Sequence, residues 1–306
     1  MKTASKSLPK LSVIIPTMNR YPEILECINS VLACSYPDFE VIVVDNGSTD
    51  GTYQNLKKIF SGNERVIIFH SKKNLGAGGG RNKGAALASG ELFFFVDDDN
   101  VLNKQTLETL VRSMVSHEEC GLSAPLMLYK ERPDLIWLYF ADINMYTSKA
   151  FYRGTNEKAS GSHPSMVEVG HLPNCFMVWA NDFRSVGGFD EKYVIMYEEA
   201  DFAEKIKRKL SKKICLFTKP LIYHNIKLPE TGQKEGELFR SKERAFLTAR
   251  NRIYFMKRNA NLLQLATFFI IFNPLFFLFY EAKLLAKRDF SKAFYYFKGV
   301  IAGLLM

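Results

Sequence analysis

Apolar positions along this chain follow two periods. Residues 11–15 are an unbroken apolar run closed by Pro16, and Ile24, Leu25, Ile28, Val31 and Leu32 then recur at helical spacing over residues 23–33. A strand followed by a helix is predicted. The unit repeats: residues 39–44 are apolar and β-branched and stop at Asp45-Asn46-Gly47-Ser48, after which Asp50 is placed to cap a helix running to Phe60. Residues 66–69 predict a third strand, residues 80–88 a helix of small residues, and residues 92–96 a fourth strand that halts at three aspartates. Strands alternating with helices imply an α/β fold with a mostly parallel, doubly wound sheet, which binds ligands beyond the carboxyl ends of its strands. The polar clusters fall at those ends.

Farther on, residues 106–115 predict a helix, and residues 174–180 a buried strand. Gly187-Gly188-Phe189-Asp190 forms a turn, residues 198–210 a helix acidic in its first turn and basic in its last, and residues 214–223 a strand. Residues 122–169 carry strand-like pieces with no clear period. These elements divide the chain into a basic tail at 1–10, an α/β domain at 11–240 and C-terminal helices at 241–306.

Three clusters carry candidate chemistry. Asp97-Asp98-Asp99 stands at the mouth of an otherwise apolar strand, and such crowding of carboxylates suits Mg2+ or Mn2+ bridging to a diphosphate. A solvated acidic turn accounts for the same letters. Residues 74–84, with Gly76, Gly78, Gly79, Gly80 and Gly84 around Arg81, form a glycine-rich loop running into a helix, where backbone N–H groups and Arg81 can approach phosphates. The segment is neither a Walker loop nor a dinucleotide fingerprint, and tight helix packing is its other explanation. Glu198-Glu199-Ala200-Asp201 opens a helix, where a carboxylate serves either as general base or as a cap. His224, after the last predicted strand, is a candidate nitrogen ligand for the same metal or a structural histidine.

Read in order, Ser12-Val13-Ile14-Ile15-Pro16-Thr17-Met18-Asn19-Arg20, residues 43–51, Gly80-Arg81-Asn82-Lys83-Gly84, Asp97-Asp98-Asp99, residues 187–191 and Glu198-Glu199-Ala200-Asp201 resemble the family two glycosyltransferases over about residues 11–225. The chain looks most like the bacterial and archaeal rhamnosyltransferase-type members that build cell-surface polysaccharides. That resemblance implies a GT-A fold, a Rossmann-like catalytic domain at 11–240 with a nucleotide-binding half (11–100) and an acceptor half (101–240), and inverting transfer from a nucleotide-diphosphate sugar. By resemblance, Thr17 and Asp45, flanked by Pro16 and Asn19, meet base and ribose. Arg81 meets the nucleotide or diphosphate, Asp97 the ribose or metal, and Asp99 is the principal metal ligand, with Asp98 in the variable middle position. Glu199 stands where the family's usual base is an aspartate, which leaves Glu198 and Glu199 both as candidates.

Composition changes this picture in two places. The five cysteines are scattered and lack C-x-x-C spacing, which argues against a disulfide framework and for a reducing compartment. Charge is uneven: residues 241–306 hold 11 Lys and Arg against Glu243, Glu281 and Asp289, a net +8 of the chain's +9. This basic charge flanks the most apolar segment, the uncharged residues 262–280, a pattern that favours anionic lipid over nucleic acid. Gln264 and Asn273-Pro274 interrupt the run, so helices lying in the cytoplasmic leaflet are expected ahead of a true span. Packing of this tail onto the catalytic domain is the competing expectation. A membrane position makes a polyprenyl-linked glycan acceptor attractive. A nucleotidyltransferase and a non-catalytic membrane scaffold are the rival functions.

Overall fold

The structure is a computed structural model, and it describes residues 8–228 and 239–306. Residues 1–7 of the expected basic tail lie outside the described residues. The strands are β1 (Leu11–Thr17), β2 (Phe39–Asp45), β3 (Val66–His70), β4 (Leu92–Val96), β5 (Asn100–Leu102) and β6 (Cys120–Tyr129). They continue with β7 (Ile136–Leu138), β8 (Phe140–Asn144), β9 (Lys149–Arg153), β10 (Met166–Glu168), β11 (Cys175–Trp179) and β12 (Lys213–His224). The helices are α1 (Tyr21–Leu32), α2 (Thr52–Ile59), α3 (Gly76–Leu87), α4 (Thr106–Ser116) and α5 (Ala180–Val186). After them come α6 (Glu198–Leu210), α7 (Lys242–Asn259), α8 (Leu262–Thr267), α9 (Asn273–Ala286) and α10 (Phe290–Leu305).

The main sheet runs β10-β12-β6-β11-β4-β1-β2-β3, with β5 on β12 and β7 on β6. Strands β3, β2, β1 and β4 pair in parallel, as do β6 and β12, whereas β11 runs antiparallel between β4 and β6. This is the expected α/β, mostly parallel sheet flanked by helices. Chain order reverses on either side of β1, so the crevice opens at the carboxyl ends of β1, β2 and β4. Helices cover both faces of those strands, which explains their unbroken apolar runs. On one face α1 and α4 pack through Ile24, Ile28, Leu107 and Val111. On the other, Phe93 and Phe95 meet Phe176, Phe183, Phe189 and Phe202.

Helix α3 starts at Gly76, four residues before the expected start. Its glycine-rich first turn has little helical propensity of its own, and tertiary contact decides. It lies so close to β1 that a Cβ on Gly84 would sit 2.3 Å from Ile14 Cγ2. The unassigned region 122–169 holds β6 to β10. All ten positions of β6 are buried although Ser123 and Pro125 interrupt its apolar run, and β8 with β9 forms a separate antiparallel pair. Asp50 accepts from Thr52 N at 3.0 Å at the head of α2, which ends at Ile59, one residue short of the expected Phe60.

One expectation is overturned. Cys120 and Cys215 form a disulfide across 95 residues, with Cα atoms 6.0 Å apart, while Cys27, Cys34 and Cys175 are free and buried. The two bridged cysteines sit on parallel neighbours β6 and β12, an adjacency that linear spacing cannot display. The scattered cysteines therefore give no argument for a reducing compartment.

The C-terminal residues divide. Helix α7 packs onto the α/β domain, its Ala249, Ile253 and Phe255 forming a third core with Tyr193, Ala200 and Tyr296. Residues Leu262–Ala286 form one continuous helix through a π-turn at Phe268–Phe272, just ahead of Pro274. Proline lacks an N–H, and the widened turn accommodates it without ending the helix. Among the described residues this is the one helix long and apolar enough to cross a membrane, by length and composition.

Candidate active site

Every sequence-predicted site residue lies along the carboxyl edge of β1, β2 and β4, or on the segments facing it. The edge at the ends of β1 and β2 is stitched together by loops. Asp45, wholly buried at the end of β2, accepts from Ser48 N at 2.8 Å and lies 3.2 Å from His70 Nδ1. Tyr53 stacks on His70 with ring centroids 4.6 Å apart. Asn19, at φ 55°, accepts from Thr49 N at 2.7 Å, so the loops after β1 and β2 hold each other. Thr17 donates to Asp98 Oδ2 at 2.6 Å, and Pro16 lies against Gly80, where a Cβ would come within 3.1 Å of its own.

The three aspartates diverge. Asp98 turns inward to Thr17 and to Arg20 Nη1 at 3.1 Å; burial pushes its pKa up to about 7 against the pull of that guanidinium. Asp99 meets Arg20 Nη2 at 3.1 Å and His224 Nε2 at 3.3 Å. Burial alone would raise the Asp99 carboxyl, but His224 and Arg20 outweigh it and the net shift is downward. Asp97 points elsewhere, to Arg81 Nη2 at 2.7 Å. Among the described residues no group of three or more His, Cys, Asp and Glu is set to hold a metal ion. Asp99 and His224 are brought together, and Asp97 is not brought to them. His224 is buried under Trp137, with ring centroids 4.2 Å apart, and its Nε2 also lies 3.2 Å from Asn174 Nδ2.

A divalent cation fits this pair. Asp99 Oδ1 is buried with no hydrogen-bond partner, and the other oxygen of that carboxylate, Oδ2, stands 3.3 Å from His224 Nε2. Magnesium-type ions take one or two protein groups and leave further positions to phosphate and water.

Arg81, on α3, joins the aspartate edge to the start of α6. The guanidinium is only 1% exposed and its Nη2 lies 2.7 Å from both Asp97 Oδ1 and Glu199 Oε1, with Nη1 3.5 Å from Glu198 Oε1. Glu199 also accepts from Asn174 N at 3.0 Å. Burial raises the Glu199 pKa to about 8 even though Arg81 opposes the shift, and Glu198 and Asp97 are raised by the same loss of water. The Glu199 side chain keeps 17% exposure toward the cleft; that of Glu198 keeps 5%. The crevice thus places a carboxylate of raised pKa and the Asp99–His224 pair on one edge, both in contact with Asn174.

Residues 12–171 match the Glycosyl transferase family 2 domain. The chain belongs to glycosyl transferase family 2. The matched domain runs from β1 through β10 and stops before α6, which carries Glu198 and Glu199. Among curated family 2 relatives, the Streptococcus pneumoniae glycosyltransferase GlyG is 31% identical over 104 residues, 34% of this chain and 35% of that one. The GalNAc(5)-diNAcBac-PP-undecaprenol beta-1,3-glucosyltransferase of Campylobacter jejuni is 36% identical over 106 residues, 34% of each chain. The chain thus spans about a third of the length of these relatives. In fold it is similar to GalNAc-T7 solved with UDP, GalNAc and Mn2+, at TM-score 0.62 and 15% identity, covering 81% of this chain and 51% of that one.

Three residues that the site uses escape the sequence motifs, whereas Arg20 closes the first of those motifs, three positions beyond β1 on the edge where the aspartates gather. His70 ends β3 on that edge too. Asn174 and Asn100 leave no signal: Asn100 Nδ2 donates to Asn174 Oδ1 at 2.6 Å, and this pair braces His224 and Glu199 from behind.

Proposed function

We propose that this chain is an inverting, metal-dependent hexosyl- or rhamnosyltransferase that moves a sugar from a nucleotide-diphosphate donor to a hydroxyl of a glycan, in surface polysaccharide or glycoconjugate synthesis. The observation that carries this reading is the Arg81 hub, which ties Glu199 to the aspartate edge of the nucleotide half. Thr17, Asp45, Asn19 and Pro16 shape the nucleoside end of the cleft, and Asp97 and Asp98 the donor's approach. Glu199, the more open of the two glutamates, takes the proton of the acceptor hydroxyl, and Arg81 with Asn174 N fixes its direction. Glu198 stays behind it as a buried partner of Arg81. Asp99 and His224 would hold Mn2+ or Mg2+. Such a cation, when bound, offsets the charge on the departing diphosphate.

The first test needs no acceptor. Addition of MnCl2 with UDP, GDP or dTDP should raise the thermal midpoint of the wild-type protein for one nucleotide, since a ligand that binds only the folded state stabilises it. Asp99→Asn should lose the manganese-dependent part of that rise. A protein indifferent to every nucleotide with manganese defeats the reading.

The acceptor and the location follow from the tail. The outer faces of the π-turn, α9 and α10 leave Ile270 76%, Leu278 63% and Phe290 65% exposed, beside Lys287 and Arg288. These helices lie in the cytoplasmic leaflet of the cell membrane and bring the cleft to an acceptor on a polyprenyl diphosphate, the type of substrate that the C. jejuni relative's name states. Wild-type protein should float with vesicles containing phosphatidylglycerol. Ile270→Asp with Leu278→Asp should cut the floating fraction at least ~10-fold, because each buried aliphatic side chain is worth ~1.5–3 kcal/mol. Equal flotation of both proteins would remove the membrane from the reading.

A further inference from the structure

The loop between the glycine turn and α6 is bent against ordinary backbone preference. Val194, Met196 and Tyr197 take φ of 66°, 69° and 70°, and none of them is glycine. This loop touches both sides of the cleft. Ala77 N donates to Val194 O at 2.7 Å, and a Cβ on Gly76 would fall 2.5 Å from that oxygen, so the first turn of α3 is seated on the loop. At its far end Tyr197 is the residue before Glu198-Glu199, and its carbonyl accepts from Asp201 N at 2.8 Å as α6 begins.

What holds the bend comes from α7. Asn251 is fully buried, and its Nδ2 lies 2.9 Å from Tyr193 O, 2.8 Å from Ile195 O and 3.1 Å from Met196 O, its two N–H groups shared among the three carbonyls. Arg250 Nη2 adds donations to Lys192 O at 2.6 Å and Tyr193 O at 3.1 Å, while its Nε donates to Asn251 Oδ1 at 2.9 Å. A strained backbone persists only where its surroundings over-determine it, and one side-chain amide on three successive-turn carbonyls does that here.

We infer that Asn251 is a positioning residue for the transfer reaction: through the carbonyls of Tyr193, Ile195 and Met196 it fixes the entry of α6 and thereby aims Glu199 into the cleft. The inference rests on the proposed role of Glu199 as base. It makes α7 part of the support of the active site as well as the stem of the apolar helices. A purely structural role for Asn251 predicts a lower thermal midpoint and nothing else. A positioning role predicts a larger loss in turnover than in donor binding, because the carbonyls that Asn251 holds, those of Tyr193, Ile195 and Met196, are distinct from Val194 O, on which α3 is seated.

The experiment uses the full chain in MnCl2, with the sugar nucleotide chosen from a UDP-, GDP- and dTDP-sugar panel, and follows release of the nucleoside diphosphate. Asn251→Ala should lower kcat ~10²-fold, the scale of a misplaced catalytic group, with donor KM within about twofold of wild type. Asn251→Gln, which keeps the amide donor, should recover part of the loss, and Arg250→Ala should fall between them. A folded Asn251→Ala variant with wild-type kcat overturns the inference. If that variant does not fold, Arg250→Ala decides, and normal turnover there overturns it equally. Glu199→Gln separates the two levels: full activity in it removes the base and this inference together. An inactive Glu199→Gln beside fully active Asn251→Ala and Arg250→Ala removes the positioning role alone.

Discussion

Glu199→Gln should lose transfer by ~10²–10⁴-fold, the usual contribution of a general base, while nucleotide and manganese binding stay as in wild type. The substitution is nearly isosteric, and an amide oxygen can still accept from Arg81 Nη2 and Asn174 N, the two donors now on Glu199 Oε1. What disappears is the basic lone pair. The wild-type rate should climb as pH rises through about 8, where the buried carboxyl ionises, and the residual rate of the variant should be flat over that range. Stability has the opposite sign. A carboxyl whose folded pKa is raised contributes stability that is complete below the ordinary glutamate value and is lost as pH rises through about 8. Glutamine mimics the protonated form, so the variant should match wild type near pH 4, below the ordinary glutamate value, and lose less than wild type as pH rises from there to 9. Initial rates across pH 6–9 and denaturant midpoints across pH 4–9 check the two halves. A variant keeping a tenth or more of wild-type turnover assigns the proton to another group.

How far the sequence carried depends on what each element packs against. The parallel half was legible because β1, β2 and β4 are covered on both faces, and burial on both faces writes an unbroken apolar run. Helix α6 was legible to the residue, since acidic and basic turns mark its two ends. The acceptor half was not. Strand β11 is antiparallel and wedged between β4 and β6, β6 carries Ser123 and Pro125, and β8 pairs only with β9. Such pairings are chosen by neighbours distant in sequence, and local period does not encode them. The site shows the same divide. Its aspartates, Arg81 and the glutamates stand out as separate clusters, yet their junction spans 118 residues between Arg81 and Glu199. Asn251 and Asn174 are invisible as letters, because an asparagine that orders backbone carbonyls or an imidazole looks like any other asparagine. The Cys120–Cys215 bridge was missed for the same reason, as it joins two strands that only the sheet makes adjacent.

Arg81→Leu should be the most destabilising single change in the cleft. The side chain is buried against Asp97, Glu198 and Glu199, and taking one partner out of a buried ionic cluster costs ~3–5 kcal/mol, because the remaining charges lose their counterion without regaining water. The guanidinium itself stays charged: burial disfavours it, but the three carboxylates more than offset that and hold its pKa above the ordinary arginine value. In the leucine variant those carboxyls, already raised by burial, rise further and can escape the penalty by taking up protons. The deficit should therefore be small near pH 5 and grow as pH rises toward 9, a steeper decline than in wild type. Arg81→Lys is the informative companion. An ammonium restores one charge, but it is a compact point charge without the planar fork by which Nη2 meets Asp97 and Glu199 while Nη1 faces Glu198. It should recover much of the stability at pH 8 and little of the turnover, since Glu199 is no longer aimed. Urea unfolding at pH 5.5 and 8.5, read beside nucleoside diphosphate release, separates these effects. A leucine variant as stable as wild type at pH 8.5 would mean that the three carboxylates do not depend on Arg81 and that the hub is not what joins the two halves of the cleft.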